Sequence, residues 1–175
     1  MARNIEIKAR IASVDVVLPR ARAVARSEPQ TIEQDDRFFS APHGRLKLRR
    51  FADGSAELIH YHRADGIDAR ASDYVRVPVP DADALALALS RALGSGPRVR
   101  KHRLLLLAGQ TRIHLDRVQG LGDFVELEVV LRDGQSDADG EAIAEALMAA
   151  LGLADAPRVP VAYADLLTDA PPVTR

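Results

Sequence analysis

The charges of this chain keep to one side of its strands. In the stretch Asn4-Ile5-Glu6-Ile7-Lys8-Ala9-Arg10, Ile5, Ile7 and Ala9 fall on one parity, and Asn4, Glu6 and Lys8 on the other. Alternate residues of a strand point to opposite faces, so this is a strand with one apolar and one polar face. Four later segments repeat the pattern. Arg45, Lys47 and Arg49 alternate with Leu46 and Leu48, and Lys101 and Arg103 share a parity. Arg112, His114 and Asp116 alternate with Ile113 and Leu115, and Phe124, Glu126 and Glu128 alternate with Val125, Leu127 and Val129. Two architectures satisfy this. In an open sheet, helices cover the apolar face and water solvates the charges. In a barrel, helices pack outside and the charges point into the lumen, where charge must be paired or must meet a charged ligand.

The rest of the chain supplies turns and helices around these strands. Strands are expected over 4–11, 30–39, 45–51, 56–63, 73–79, 98–107, 111–118 and 124–131. The turn signals include Asp53-Gly54 between the third and fourth. Ser13 can cap a first helix that contains Pro19, a second follows Pro80 and ends at Gly94, and a third spans 136–153. A short closing helix is expected over 159–167. The fold class is therefore α+β: eight antiparallel strands in hairpins that can close into a barrel, with helices packed outside. We read residues 1–170 as one domain and 171–175 as a frayed tail.

Composition removes several function classes. The net charge is −1, which gives no bulk field toward nucleic acid or a membrane, and aromatic residues, at 4%, are too few to stack bases along a single strand. The chain has no cysteine, which excludes disulfides, thiolate catalysis and cysteine zinc sites. No segment reads as a signal peptide or an apolar span, so the cytoplasm is the expected compartment.

The separation of charge by strand is the sharper signal. The third and sixth strands supply cations, and the eighth supplies two carboxylates. Cations neutralise phosphate oxygens, Arg bidentately, while Mg²⁺ takes one or two carboxylates together with phosphate oxygens and water. The bland alternatives are solvated strand ends for Lys101 and Arg103, flanked by Arg100 and His102, and for Lys47 and Arg49, followed by Arg50. The pair Asp35–Asp36 reads as strand-edge charge, and Tyr163 and Asp165 as anchors of the last helix. His60, His62 and His114 read as surface histidines rather than zinc ligands. Val118-Gln119-Gly120-Leu121-Gly122 reads as a hairpin turn, without the spacing of a phosphate loop.

In their order and spacing these segments resemble the CYTH family, the triphosphate tunnel metalloenzymes. That family includes class IV adenylyl cyclases, thiamine triphosphatases and inorganic triphosphatases. Its Glu-x-Glu-x-Lys opening is matched by Asn4, Glu6 and Lys8, and the later matches are Arg45–Arg50, Val99–Arg103 and Thr111–Leu131. The resemblance implies an eight-stranded tunnel and a metal-dependent enzyme acting on a triphosphate. ATP cyclisation is the leading activity, with triphosphate hydrolysis or plain polyphosphate binding as alternatives. It implies Mg²⁺ or Mn²⁺ held by Glu6, Glu126 and Glu128, and a triphosphate held by Lys8, Lys47, Arg49, Lys101, Arg103 and Arg112. Asp116 resembles the family's aspartate that assists metal or water. Two departures stand out: Asn4 replaces the first motif glutamate, and His62 followed by Arg63 occupies the place of a family lysine, so that Arg63 joins Asp116 as a catalytic candidate. The expected partner is a triphosphate-bearing small molecule, with no nucleic acid and no membrane, and a homodimer is left open.

Overall fold

The computed structural model describes residues 4–62 and 73–169. Among the described residues, eight strands and four helices follow in the order β1 (Asn4–Ile11), α1 (Val14–Val24), β2 (Gln30–Phe39), β3 (Arg45–Phe51), β4 (Ala56–His62), β5 (Asp73–Pro78), α2 (Ala82–Leu93), β6 (Ser95–Ala108), β7 (Thr111–Val118), β8 (Gly122–Val130), α3 (Asp137–Ala150) and α4 (Tyr163–Asp169). All eight strands join one antiparallel sheet in the order β1-β8-β7-β6-β2-β3-β4-β5. The β2–β6 pair stitches a β2–β5 meander to a second unit of β6, β7, β8 and β1. β6 is longer than the sequence suggested, because it starts one residue after the α2 cap at Gly94 and follows β2 as far as Phe39, past a register shift.

The apolar parities face the helices. α1 is capped by the Ser13 side chain, which accepts from Asp15 N, and it lays Val14, Val17 and Ala21 against Leu106, Ile113, Leu115, Val125 and Leu127. Pro19 sits inside α1. α2 covers Phe39 and Leu48 of β2 and β3, and α3 covers Ile5 and Val129 of β1 and β8. Gly140 of α3 packs tightly enough that a Cβ there would stand 2.5 Å from Ile5 Cγ1. The strand segments therefore carry their stabilising apolar area on the outer side. None of the described helices is long and apolar enough to cross a membrane.

The closed hydrogen-bonded barrel expected as one outcome is not formed among the described residues: β1 and β5 are the two ends of the sheet. The free edge of β1 is occupied instead by the segment before α4. Arg10 N donates to Pro157 O at 3.0 Å and Val159 N donates to Lys8 O at 2.9 Å. Backbone groups satisfied this way cannot also pair with β5. The sheet nevertheless curls around a common interior, since every strand contributes lining to a single cavity of about 460 Å³.

Candidate functional site: a charged cavity inside the curled sheet

The inner parity of each strand brings a defined chemistry to this cavity. β1 and β8 supply Glu6, Lys8, Glu126 and Glu128, β7 supplies Arg112 and His114, and β6 supplies Lys101 and Arg103. β2 and β3 supply Asp36, Phe38, Lys47 and Arg49, β4 and β5 supply Ile59, Tyr61, Tyr74 and Arg76, and α4 closes one side with Tyr163 and Ala164. The structure thus brings together Glu6, Lys8, Lys47, Arg49, Lys101, Arg103, Arg112, Glu126 and Glu128. Arg63 lies outside the described residues, as does the side chain of His62.

Register decides how the charges meet. Arg49 stands opposite Asp36, Arg103 opposite Asp116, Arg112 opposite Glu128, and Lys8 opposite Glu126. Directly opposed side chains are close enough to pair. Arg49 donates from Nε and Nη2 to the two Asp36 oxygens, both at 2.7 Å, and Lys47 Nζ donates to Asp36 Oδ2 at 2.8 Å. Arg103 donates to both Asp116 oxygens at 2.7 Å and to Glu126 Oε2 at 2.8 Å. Arg112 Nη1 donates to Glu128 Oε2 at 3.0 Å. Lys8 Nζ lies 3.7 Å from Glu126 Oε1 and donates to Val161 O at 3.2 Å.

Tyr163 organises the floor. Its hydroxyl donates to Asp116 Oδ2 at 2.9 Å, its ring meets Phe124 edge-on at 4.9 Å, and the ammonium groups of Lys8 and Lys101 lie 4.5 and 5.3 Å from its centroid. Burial pushes the Tyr163 hydroxyl well above its usual range, and the nearby Glu126 and Asp116 charges push it further, so it remains a donor. Burial works against the ionised forms of Asp36, Asp116 and Glu126 as well. The groups around them prevail: the Lys47 and Arg49 charges hold Asp36 low, Lys101 and Arg103 hold Asp116 low, and the Lys8 charge, a hydrogen bond from His114 and the Arg103 charge hold Glu126 low.

Three sequence expectations change. Asp116 was expected to touch metal or water, but it is fully buried beneath the cavity, with its oxygens taken by Arg103 and Tyr163. It positions Arg103 rather than reaching the lumen. Asp36 is not strand-edge charge: it is buried and holds two cavity cations, whereas Asp35, on the other parity, pairs outside with Arg98 and Arg100. The signal was available, because alternation from Asp35 puts Asp36 on the inner face. His114 is buried in the cavity with Nδ1 3.6 Å from Glu126, while His60 faces His43 O at 3.0 Å. The sequence marks Tyr163 only as an anchor of the last helix; its place on the cavity floor depends on how α4 docks.

The donor set suits a hard divalent ion. Glu6 and Glu128 stand directly opposite each other, and Glu126 lines the same wall, so oxygen ligands of the kind Mg²⁺ and Mn²⁺ prefer are adjacent. Among the described residues, however, no three such groups are preassembled around a common point. Glu126 and Glu128 are turned onto Arg103 and Arg112 instead.

Lys101 carries a testable consequence. Burial, and then the Arg103 charge, lower its pKa to about 7, against the opposing pull of Asp116 and Asp36. An entering polyanion stabilises the ammonium form, so binding at pH 8 is expected to take up a proton, at a pH where the ligand's terminal phosphate is already ionised. Calorimetry in buffers of different ionisation enthalpy should show this uptake, and tripolyphosphate affinity should fall as pH rises from 6 to 9. Lys101→Met should remove the uptake. An unchanged proton count in that variant would place the titration elsewhere. The sign for folding is the reverse. The unfolded chain holds the Lys101 proton up to its ordinary pKa of 10.5, so this group makes the fold more stable as pH rises above about 7.

A curled antiparallel sheet with its helices outside, and with cations and carboxylates facing one interior, defines a protein built to enclose a charged ligand. The CYTH domain family matches residues 2–163, and the chain belongs to that family. Solved structures share the fold. A Pyrococcus horikoshii protein, PH1012, superimposes with a TM-score of 0.81 at 22% identity, over 93% of this chain and 98% of that one. A Vibrio parahaemolyticus protein described as a candidate adenylate cyclase gives 0.73 at 20% identity, over 95% and 98%. A Hippeastrum protein described as a candidate adenylyl cyclase with a dominant triphosphatase activity gives 0.67 at 13% identity, over 96% and 94%. No curated protein matches the sequence.

Proposed function

We propose that the protein is a divalent-metal-dependent enzyme that acts on a triphosphate held in the cavity. ATP cyclisation to cyclic AMP and pyrophosphate is the leading reaction, and hydrolysis is its competitor on the same apparatus. The observation that carries this reading is the charge balance of the cavity. Among the described residues, seven cations (Lys8, Lys47, Arg49, Arg76, Lys101, Arg103 and Arg112) face or underlie the same space as five carboxylates (Glu6, Asp36, Asp116, Glu126 and Glu128), an excess of two. A fully ionised triphosphate ester carries about four negative charges, and one divalent cation reduces that to about two. The cavity is thus nearly neutral with a metal–triphosphate complex inside it, and because its cations are spread over β1, β3, β5, β6 and β7, several can each meet a different phosphate of the chain, which a monophosphate cannot offer.

Within this reading Glu6, Glu126 and Glu128 hold the metal, which would supply electrostatic stabilisation of charge on the phosphoryl oxygens. Lys47, Arg49, Lys101, Arg103 and Arg112 hold the phosphate chain, and Asp36 and Asp116 fix the directions of Arg49 and Arg103. Cations held in place by buried carboxylates need little reorganisation when charge develops on the substrate. In cyclisation the ribose 3′-hydroxyl attacks the α-phosphorus and pyrophosphate leaves. In hydrolysis water attacks the terminal phosphorus and orthophosphate leaves. The candidate cyclase with dominant triphosphatase activity from Hippeastrum keeps hydrolysis in view. Incubation with Mg²⁺ and either ATP or tripolyphosphate, followed by phosphorus NMR, separates the outcomes. Cyclic AMP with pyrophosphate marks the cyclase, and orthophosphate marks the hydrolase. Binding without any new signal would reduce the protein to a polyphosphate-binding tunnel.

A further inference from the structure

The cavity is not charged all the way round. Its carboxylates belong mainly to β1 and β8 and its cations mainly to β7, β6 and β3, whereas the wall formed by β4 and β5 presents Ile59, Tyr61, Tyr74 and Arg76. Tyr61 and Tyr74 stand directly opposite each other across the two strands, and Phe38 lines the neighbouring surface. The whole chain has three tyrosines, four phenylalanines and no tryptophan, so placing three of these seven rings on one side of a polar cavity is a strong concentration. Cations attend each ring: Arg76 lies 5.5 Å from the Tyr74 centroid, and Lys47 lies 5.4 Å from Tyr61 and 5.6 Å from Phe38. A packing role would bury Tyr74, yet it is 59% exposed. An exposed ring beside a cation offers a face on which a flat aromatic group can stack.

We propose that the β4–β5 wall, with Tyr74 as its main contact and Tyr61 beside it, seats an aromatic ring of the substrate. The chain therefore takes an organic triphosphate that ends in a flat heterocycle, rather than bare inorganic tripolyphosphate. This rests on the reading above that the cavity holds a triphosphate, and it adds a direction to it: metal-bound phosphates toward β1 and β8, ring toward β4 and β5. The test compares ATP, methyl triphosphate and tripolyphosphate by titration calorimetry, with and without Mg²⁺. Wild type is expected to bind ATP on the order of tenfold more tightly than methyl triphosphate, the range that ring stacking on one aromatic side chain gives. Tyr74→Ala should erase that preference while methyl triphosphate and tripolyphosphate bind as before, and Tyr74→Phe should keep it. Equal wild-type affinity for ATP and methyl triphosphate overturns the aromatic seat but leaves the triphosphate reading standing. A Tyr74→Ala variant that weakens all three ligands together also overturns it, because the ring would then be structural. If none of the three binds wild type, the triphosphate reading itself falls, and the seat falls with it.

Discussion

Glu128→Gln is expected to lower Mg²⁺-supported turnover by on the order of a hundredfold or more, with the fold intact. Even residues one shell removed from a metal typically cost about 10–100-fold. Glu128 is the better probe of the carboxylate wall because its side chain keeps partial access to solvent and pairs with Arg112, whose own side chain is 46% exposed. Removing its charge therefore leaves no buried cation stranded. Glu6 stands directly opposite, so Glu6→Gln should behave in the same way. Two like charges across a strand pair repel, and neutralising one of them relaxes that repulsion while releasing Arg112 toward phosphate. Metal-free tripolyphosphate binding should accordingly stay the same or tighten. Calorimetry in the presence of a chelator, set beside initial rates in Mg²⁺, reads both effects. Normal turnover in both variants would move the metal away from this wall. Glu126→Gln should differ from them. Glu126 is nearly buried between Arg103 and Lys8, so its loss of turnover should come with a loss of stability.

That contrast between Glu126 and Glu128 marks what the sequence could and could not express. Alternation in Asn4–Arg10, Arg45–Arg50 and Thr111–Asp116 reveals which side chains share a face, because a strand's period of two is a local property. The strands and their charged faces follow from it, the three long helices from their cap and Pro/Gly signals, and the roles of the nine cavity-lining candidates from the resemblance to the CYTH family. Register is not local. That Arg103 faces Asp116 while Arg112 faces Glu128 depends on pairing between segments, and it turns a set of apparently available phosphate binders into a set already compensated by carboxylates. The same dependence hid Asp36. It could be assigned to the inner face by counting, but its value as the anchor of Lys47 and Arg49 appears only once β2 lies beside β3. Closure was equally illegible. The segment Pro157–Val159, which occupies the edge of β1, carries no strand signature of its own, so alternation in the strands could not say that β1 and β5 would stay apart.

Asp116→Ala is expected to destabilise the protein by about 3–5 kcal/mol, the cost of stranding one member of a buried ion pair. Asp116 is fully buried, and it accepts from Arg103 twice and from Tyr163 once, with the Lys101 ammonium 3.9 Å away. Without it, Arg103 keeps only Glu126, and Lys101 loses its nearest carboxylate. For a chain of this size such a loss corresponds to a fall of roughly 6–20 °C in Tm. Asp116→Asn keeps the shape and removes the charge, so it should fall between the wild type and Asp116→Ala. The pH dependence identifies the cause. The folded Asp116 pKa lies below its ordinary value of 3.8, so its contribution is present above that pH and is lost as pH falls through the folded value. Wild type should therefore lose stability in acid where Asp116→Asn has already lost it, and the two unfolding free energies should converge as the pH falls below 3.8. A polyanion supplies the missing negative charge from the cavity side, through Arg103 and Lys101. Tripolyphosphate should therefore raise the Tm of Asp116→Ala by more than it raises that of wild type, as expected for a ligand that binds the native state alone. Turnover should remain depressed even in the rescued protein, because Arg103 is then held by the ligand and not by the floor. Urea denaturation at pH 7, with and without tripolyphosphate, measures both differences. A change in stability below about 1 kcal/mol would mean that Arg103 finds equivalent support from Glu126 and water, and that the buried network does not position the cavity's cations.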